Sequence, residues 1–189
     1  MGDEVRESIA QVQGAKQMKC LIDSDILAYE ISSCGQFKDE LTGELVYREF
    51  DYVADLLHQK IKEIVTECDS EETPRLYLTG DEHLLKHVNR AAKYNDEEVK
   101  VFKPNFRIGL ATAKPYKGQR KQEKPYHFHN LRVYMLSAYE CVVTEGMEAD
   151  DLICIDLSSS GGNSIACTRD KDLRMCPGWH YGWACGKQE

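Results

Sequence analysis

In the run Cys141-Val142-Val143-Thr144-Glu145-Gly146-Met147-Glu148-Ala149-Asp150-Asp151-Leu152-Ile153-Cys154-Ile155-Asp156-Leu157, an apolar strand over 141–143 passes through a glycine turn into a helix over 148–157. The helix opens with three carboxylates, where the positive end of its dipole favours negative charge. Downstream, Ser158 to Gly162 breaks the pattern, and Ser164 to Cys167 predicts another strand that runs on to Asp170-Lys171-Asp172. Upstream, Met18 to Ile22 predicts a strand ending in Asp23-Ser24-Asp25, and Arg75 to Leu78 one that leads into Gly80-Asp81. Strands alternating with helices predict an α/β fold, a three-layer sandwich around a mostly parallel central sheet covered on both faces.

The remaining elements are weaker signals. Phe37 to Phe50 carries a polar turn at Leu41-Thr42-Gly43-Glu44 and predicts a hairpin. Asp51 reads as the N-cap of a helix whose apolar face is Val53, Leu56, Leu57, Ile61, Ile64, Val65 and Cys68. A helix is expected over 84–92 and a third strand over 99–102. Pro125 suits the first turn of a helix bearing Phe128, Leu131 and Met135, in which His127 and His129 are ordinary helix residues. A last edge strand is expected within 179–185.

Composition fits one soluble domain. The 189 residues are 42% hydrophobic and 30% charged, with a net charge of −8. No apolar run nears the roughly 20 residues of a membrane span, and the polar first 17 residues hold no signal-peptide core. The expectation is a cytoplasmic monomer that does not engage membranes. The eight cysteines are scattered through predicted strands and helices, so buried, reduced thiols are expected rather than a disulfide scaffold. Cys176, His180 and Cys185 follow no standard zinc spacing.

Charge is unevenly placed. Between Lys103 and Arg132 eight basic residues (Lys103, Arg107, Lys114, Lys117, Arg120, Lys121, Lys124 and Arg132) face a single acid, Glu123. Pro104, Pro115, Gly118 and Pro125 interrupt this segment, so it reads as a loop or broken helix. A basic strip on an acidic body suits nuclease chemistry: cations hold phosphates and carboxylates hold metal. Tyr116 offers a ring for an unpaired base, while Lys117 and Arg120 can hold a phosphate.

In an open parallel sheet the carboxyl ends of the strands line a common crevice. Asp23, Asp81, the cluster Glu148, Asp150 and Asp151, and the pair Asp170 and Asp172 would therefore converge. Clustered carboxylates repel unless a cation lies among them, and a hard ion such as Mg²⁺ is the usual partner. Glu148 and Asp151 can share a helix face, whereas Asp150 and Asp151 diverge by about 100°. On an extended chain Asp170 and Asp172 would face one side.

The motifs Leu21-Ile22-Asp23, Pro115-Tyr116-Lys117-Gly118-Gln119-Arg120, Glu145-Gly146-Met147-Glu148-Ala149-Asp150-Asp151 and Thr168-Arg169-Asp170-Lys171-Asp172-Leu173 occur in this order. Together they resemble the 5′-nuclease superfamily of flap endonucleases and 5′→3′ exonucleases, the phage type above all. The resemblance covers residues 18–178 and implies a resolvase-like, PIN-like catalytic domain with a basic helical arch at about 103–125. It implies that Asp23, Asp81, Glu148, Asp150, Asp151, Asp170 and Asp172 hold two Mg²⁺ or Mn²⁺ ions. It implies catalytic roles for Lys117 and Arg120, and DNA contacts from Lys114, Tyr116, Lys117, Arg120, Lys121 and Lys124. The activity implied is hydrolysis of DNA near a free 5′ end or flap, in the host cytoplasm if the chain is phage-encoded. Paired metals can activate a water and stabilise the leaving 3′ oxygen without a covalent intermediate.

Family members normally continue into a helix–hairpin–helix region. Here residues 179–189 form only a short tail, so a catalytic domain alone is expected, with a separate duplex-binding polypeptide as a possible partner. Two alternatives stay open: a PIN-like ribonuclease using the same carboxylates, and a DNA-binding fragment without full activity. Residues 1–17 are expected to be a polar extension.

Overall fold

β1, Lys19–Asp23, is the central strand of a five-stranded sheet ordered β5-β4-β1-β6-β7, in which every neighbouring pair is parallel. The structure is a computed structural model and describes residues 18–110 and 123–184. After β1 come α1 (Ser24–Cys34), a hairpin of β2 (Gln36–Lys38) and β3 (Leu45–Tyr47), and α2 (Phe50–Glu67). The chain continues through β4 (Arg75–Leu78), α3 (Glu82–Tyr94), α4 (Phe106–Leu110), α5 (Phe128–Ala138) and β5 (Glu140–Val143). It ends with α6 (Ala149–Ser159), β6 (Ser164–Cys167), a 3₁₀ turn at Asp172–Met175 and β7 (Trp179–Tyr181).

The two-residue pleat sorts side chains onto opposite faces of the sheet. Cys20, Ile22, Leu76, Leu78, Ile165 and Cys167 join a core with Leu27 and Ile31 of α1, Leu57 and Ile64 of α2, and Leu131 and Met135 of α5. Leu21, Tyr77 and Ala166 face the other way, against Ala149, Ile153 and Leu157 of α6 and Leu173 of the 3₁₀ turn. Burial on both faces explains why these strands read as continuous apolar runs rather than alternating ones. Fully buried side chains such as Leu57 and Ile153 each contribute about 1.5–3 kcal/mol.

The α/β class, the parallel sheet and the hairpin follow the expectation, and several details differ. Residues 24–34 form α1, a helix absent from the sequence reading; the Asp23 side chain caps it. α2 begins at Phe50 with Glu49 as N-cap, so Asp51 lies in the first turn, where its charge still complements the dipole. Residues 99–102 form no strand. Asn89 of α3 holds that segment from the side, accepting from Lys100 N–H (2.8 Å) and donating to Lys100 O (2.7 Å). α5 starts at Phe128, with His127 as N-cap and Pro125 in the preceding turn.

The cysteines also depart from expectation. Cys20, Cys68 and Cys167 are buried free thiols, but Cys154 of α6 is disulfide-bonded to Cys176 just after the 3₁₀ turn. The spacing of these two gave no sign of the link, because α6 and the 3₁₀ turn meet only once β6 is in place. No helix among the described residues is long and apolar enough to cross a membrane.

Candidate functional site

Because the strands are parallel, the segments leaving β5, β4, β1 and β6 emerge at one edge of the sheet. The chain moves from β1 outward to β4 and β5, then returns across the sheet to β6 and β7. This reversal beside β1 is where α/β sheets form ligand crevices. Every acidic residue picked out from the sequence lies on one of these four exits.

Asp23 ends β1 and is only 4% exposed. Its Oδ2 accepts from the Thr168 hydroxyl at 2.8 Å, and its Oδ1 from Ile26 N–H at 3.5 Å. Burial and then the charge of Asp25 push its carboxyl up to about 7; Asp150 adds to the rise, while Thr168 and Ile26 oppose it. Thr168 links the next exit as well, since its hydroxyl oxygen accepts from Asp170 N–H at 3.0 Å.

Asp25 and Asp81 are held by one arginine. Arg132 of α5 is 3% exposed and pairs through Nε with Asp25 Oδ1 at 3.0 Å and through Nη1 with Asp81 Oδ2. Its Nη2 donates to Thr79 O. Asp25 Oδ2 also accepts from Thr79 N–H at 2.8 Å, and Asp81 caps α3 by accepting from Leu84 N–H at 2.9 Å. Burial would raise the Asp81 carboxyl, but the Leu84 amide and Arg132 together hold it below its ordinary value.

A second arginine serves the β5 exit. Arg107 of α4 grips Asp151 with both terminal nitrogens, at 2.6 and 2.8 Å, and reaches Glu148 at 3.2 Å. Glu148 and Asp151 share a face, as their spacing predicts, and form a capping box at the start of α6. Thr79 joins the two exits by accepting from Ala149 N–H at 3.0 Å. Gly80 makes this approach possible: a Cβ there would stand 2.1 Å from Thr144 O.

Asp170 and Asp172 do not lie on extended chain. Asp170 Oδ1 accepts from Asp172 N–H at 2.9 Å at the start of the 3₁₀ turn, which is a capping role, and Asp172 is exposed. The acidic residues therefore share one sheet edge without forming a single knot. Among the described residues, no three carboxylates bring oxygens within 4.8 Å of one another.

The basic strip needs correction where it can be followed. Arg132 is buried and Arg107 is tied to Asp151, so neither stands ready for phosphate. Lys103 lies 3.4 Å from Glu145. Lys124 sits over the Phe128 ring at 4.6 Å and the Tyr29 ring at 5.6 Å. Lys114, Tyr116, Lys117, Arg120, Lys121 and Cys185 lie outside the described residues.

Asp25, Thr79, Thr168 and the arginine partners are the residues the sequence reading missed. A signal for Arg132 existed: it follows Phe128 by four positions and precedes Met135 by three, inside the apolar stripe of α5. An arginine there must be buried and needs carboxylates. No protein-family model, curated protein or solved structure gives a significant match to this chain.

Proposed function

We propose that this chain is a Mg²⁺-dependent nuclease of the 5′→3′ exonuclease and flap-endonuclease kind, built on a resolvase-like domain with a basic arch. The observation that carries the reading is the carboxylate edge itself: Asp23, Asp25, Asp81, Glu148, Asp150, Asp151 and Asp170 on four neighbouring strand exits, beside the chain reversal. The four sequence motifs and the basic run around Lys117 supply the choice of DNA as substrate.

The chemistry of the donors fits a hard cation in one part of the crevice. Asp23 is buried against two negative neighbours, Asp25 and Asp150, a balance that a divalent ion with oxygen ligands would reverse. Asp23 and Asp150, with Asp170 adjacent through Thr168, are the residues that would hold it. A bound Mg²⁺ would supply Lewis-acid polarisation of a phosphodiester and activation of a water. The chain's own groups do the rest: Thr168 orients Asp23, Arg132 fixes Asp25 and Asp81, and Arg107 neutralises Glu148 and Asp151. Lys117 and Arg120 hold the phosphate, and Tyr116 stacks on an unpaired base.

A cytoplasmic setting belongs to the same proposal. The Cys154–Cys176 bond stands in tension with it, since disulfides persist chiefly in oxidising compartments.

The test is cleavage of a 5′-labelled flap duplex with and without Mg²⁺, beside Asp150→Asn and Lys117→Ala. Metal-dependent release of 5′-terminal nucleotides, lost in both variants, supports the reading. DNA binding with no cleavage by the folded wild type would leave a binding module. Cleavage of single-stranded RNA in preference to the flap would favour the ribonuclease.

A further inference from the structure

Three cysteines distant in sequence meet in the apolar layer between the sheet and α2. Cys20 lies in β1, Cys167 ends β6, and Cys68 is the C-cap of α2. All three are buried, at 0, 0 and 7% exposure, and their sulfurs lie within 4.8 Å of one another. β1 and β6 are hydrogen-bonded neighbours, with Cys20 opposite Ile165 and Ile22 opposite Cys167. A two-residue offset keeps both thiols on one face of the sheet. Cys68 then enters from the helix layer, with its Sγ 3.7 Å from that of Cys167.

A thiol acting only as a small hydrophobe packs against hydrocarbon, whereas here sulfur packs on sulfur. Three sulfurs each about 2.3 Å from a shared centre stand about 4 Å apart. The Cys68–Cys167 pair, at 3.7 Å, is close to that value, and every pair of the trio lies within 4.8 Å. With no histidine or carboxylate in the group, the donor set selects soft cations and rejects Mg²⁺. We propose that Cys20, Cys68 and Cys167 form a three-thiolate site for a soft divalent d¹⁰ cation of the zinc class, separate from the carboxylate crevice.

Binding converts three thiols and the cation into a metal tris-thiolate and three released protons, with no change of oxidation state. The neighbouring thiols Cys167 and then Cys68 hold the Cys20 thiol below its ordinary value, against the opposing effect of burial. The cation would fasten β1, β6 and the end of α2 together. Cys167 immediately precedes Thr168, so the fastening would lie one residue from the hydroxyl that holds Asp23.

The test uses the full chain carrying Cys34→Ser, Cys141→Ser and Cys185→Ser, which keeps the trio and the disulfide while removing the other thiols. This protein is refolded with Cd²⁺, without reductant, in excess Mg²⁺. We expect one Cd²⁺ per chain by native mass spectrometry, a thiolate-to-cadmium charge-transfer band and a higher Tm. Adding Cys167→Ser should remove the band, and adding Cys68→Ala should weaken binding at least tenfold. A folded triple variant that shows no band and no bound ion overturns the proposal, whatever the further variants do. So does a disulfide found within the trio, or a band unchanged by Cys68→Ala.

Discussion

The Thr168 hydroxyl donates to Asp23 Oδ2 at 2.8 Å across the β1–β6 junction, 145 residues apart in sequence. It offers a buried carboxylate one strong donor while Asp25 and Asp150 both repel it. The result is a carboxyl pushed up to about 7, and this has a sign for stability. Between roughly pH 4 and 7 the folded chain keeps a proton on Asp23 that the unfolded chain has lost, so stability falls as pH rises through that window and then levels off. The penalty at pH 8 is on the order of 4 kcal/mol at most. Asp23→Asn still caps α1 and cannot ionise. Urea denaturation in EDTA should find it more stable than wild type at pH 8 and nearly equal at pH 4.5. Equal stabilities at pH 8 would mean that Asp23 is not strained.

Arg132 offers a second measurement. Removing it leaves Asp25 and Asp81 facing each other, with Asp25 half-buried, so Arg132→Met should cost about 3 kcal/mol by urea denaturation. Adding Asp25→Asn and Asp81→Asn should recover part of that loss. A loss below about 0.5 kcal/mol, the range of ordinary surface substitutions, would show that the three groups are not coupled.

Arg107 occupies Glu148 and Asp151, two of the carboxylates expected from the sequence to hold metal. If the crevice binds Mg²⁺ near these groups, Arg107 competes with it. Calorimetry should find Mg²⁺ binding tighter in Arg107→Ala, at a stability cost of no more than about 1 kcal/mol because the arginine is one-third exposed. Weaker Mg²⁺ binding would show instead that Arg107 organises the site.

The Cys154–Cys176 bond closes a loop of 22 residues, for which the chain-entropy account gives about 3 kcal/mol. Thermal melts of wild type should fall on adding a phosphine reductant, while Cys154→Ser/Cys176→Ser should melt low and ignore the reductant. A wild type indifferent to reductant would refute the link in solution.

Much of this fold was legible because parallel strands buried on both faces leave short, dense apolar runs: 19–22, 75–78, 141–143 and 164–167. The carboxylates at their exits were legible for the same reason. α1 was not, because Ser24, Ser32 and Ser33 dilute its apolar stripe of Leu27, Ala28 and Ile31. The Val99–Phe102 run has strand composition, yet Asn89 occupies its backbone from a helix, and a side-chain clamp leaves no periodic trace. The partners of the carboxylates were hidden most deeply. Whether Arg132 reaches a phosphate or Asp25 depends on which way α5 faces, and that is settled only by packing.

Among the described strands β1 comes first in the chain, and it is one of the last to be satisfied. Its pairing with β4 can form once residue 78 has been synthesised, but its other edge waits for β6, and Cys20 meets Ile165 only across 145 residues. Contacts of such long range are slow to form because loop closure must come first. During synthesis, therefore, one edge of the central strand stands open from residue 23 until β6 has been made, with Asp23 lacking its Thr168 partner. The crevice is a late product of the chain's own manufacture: a chain ending before residue 164 would hold three of the five strands and lack Thr168 and Asp170 beside Asp23.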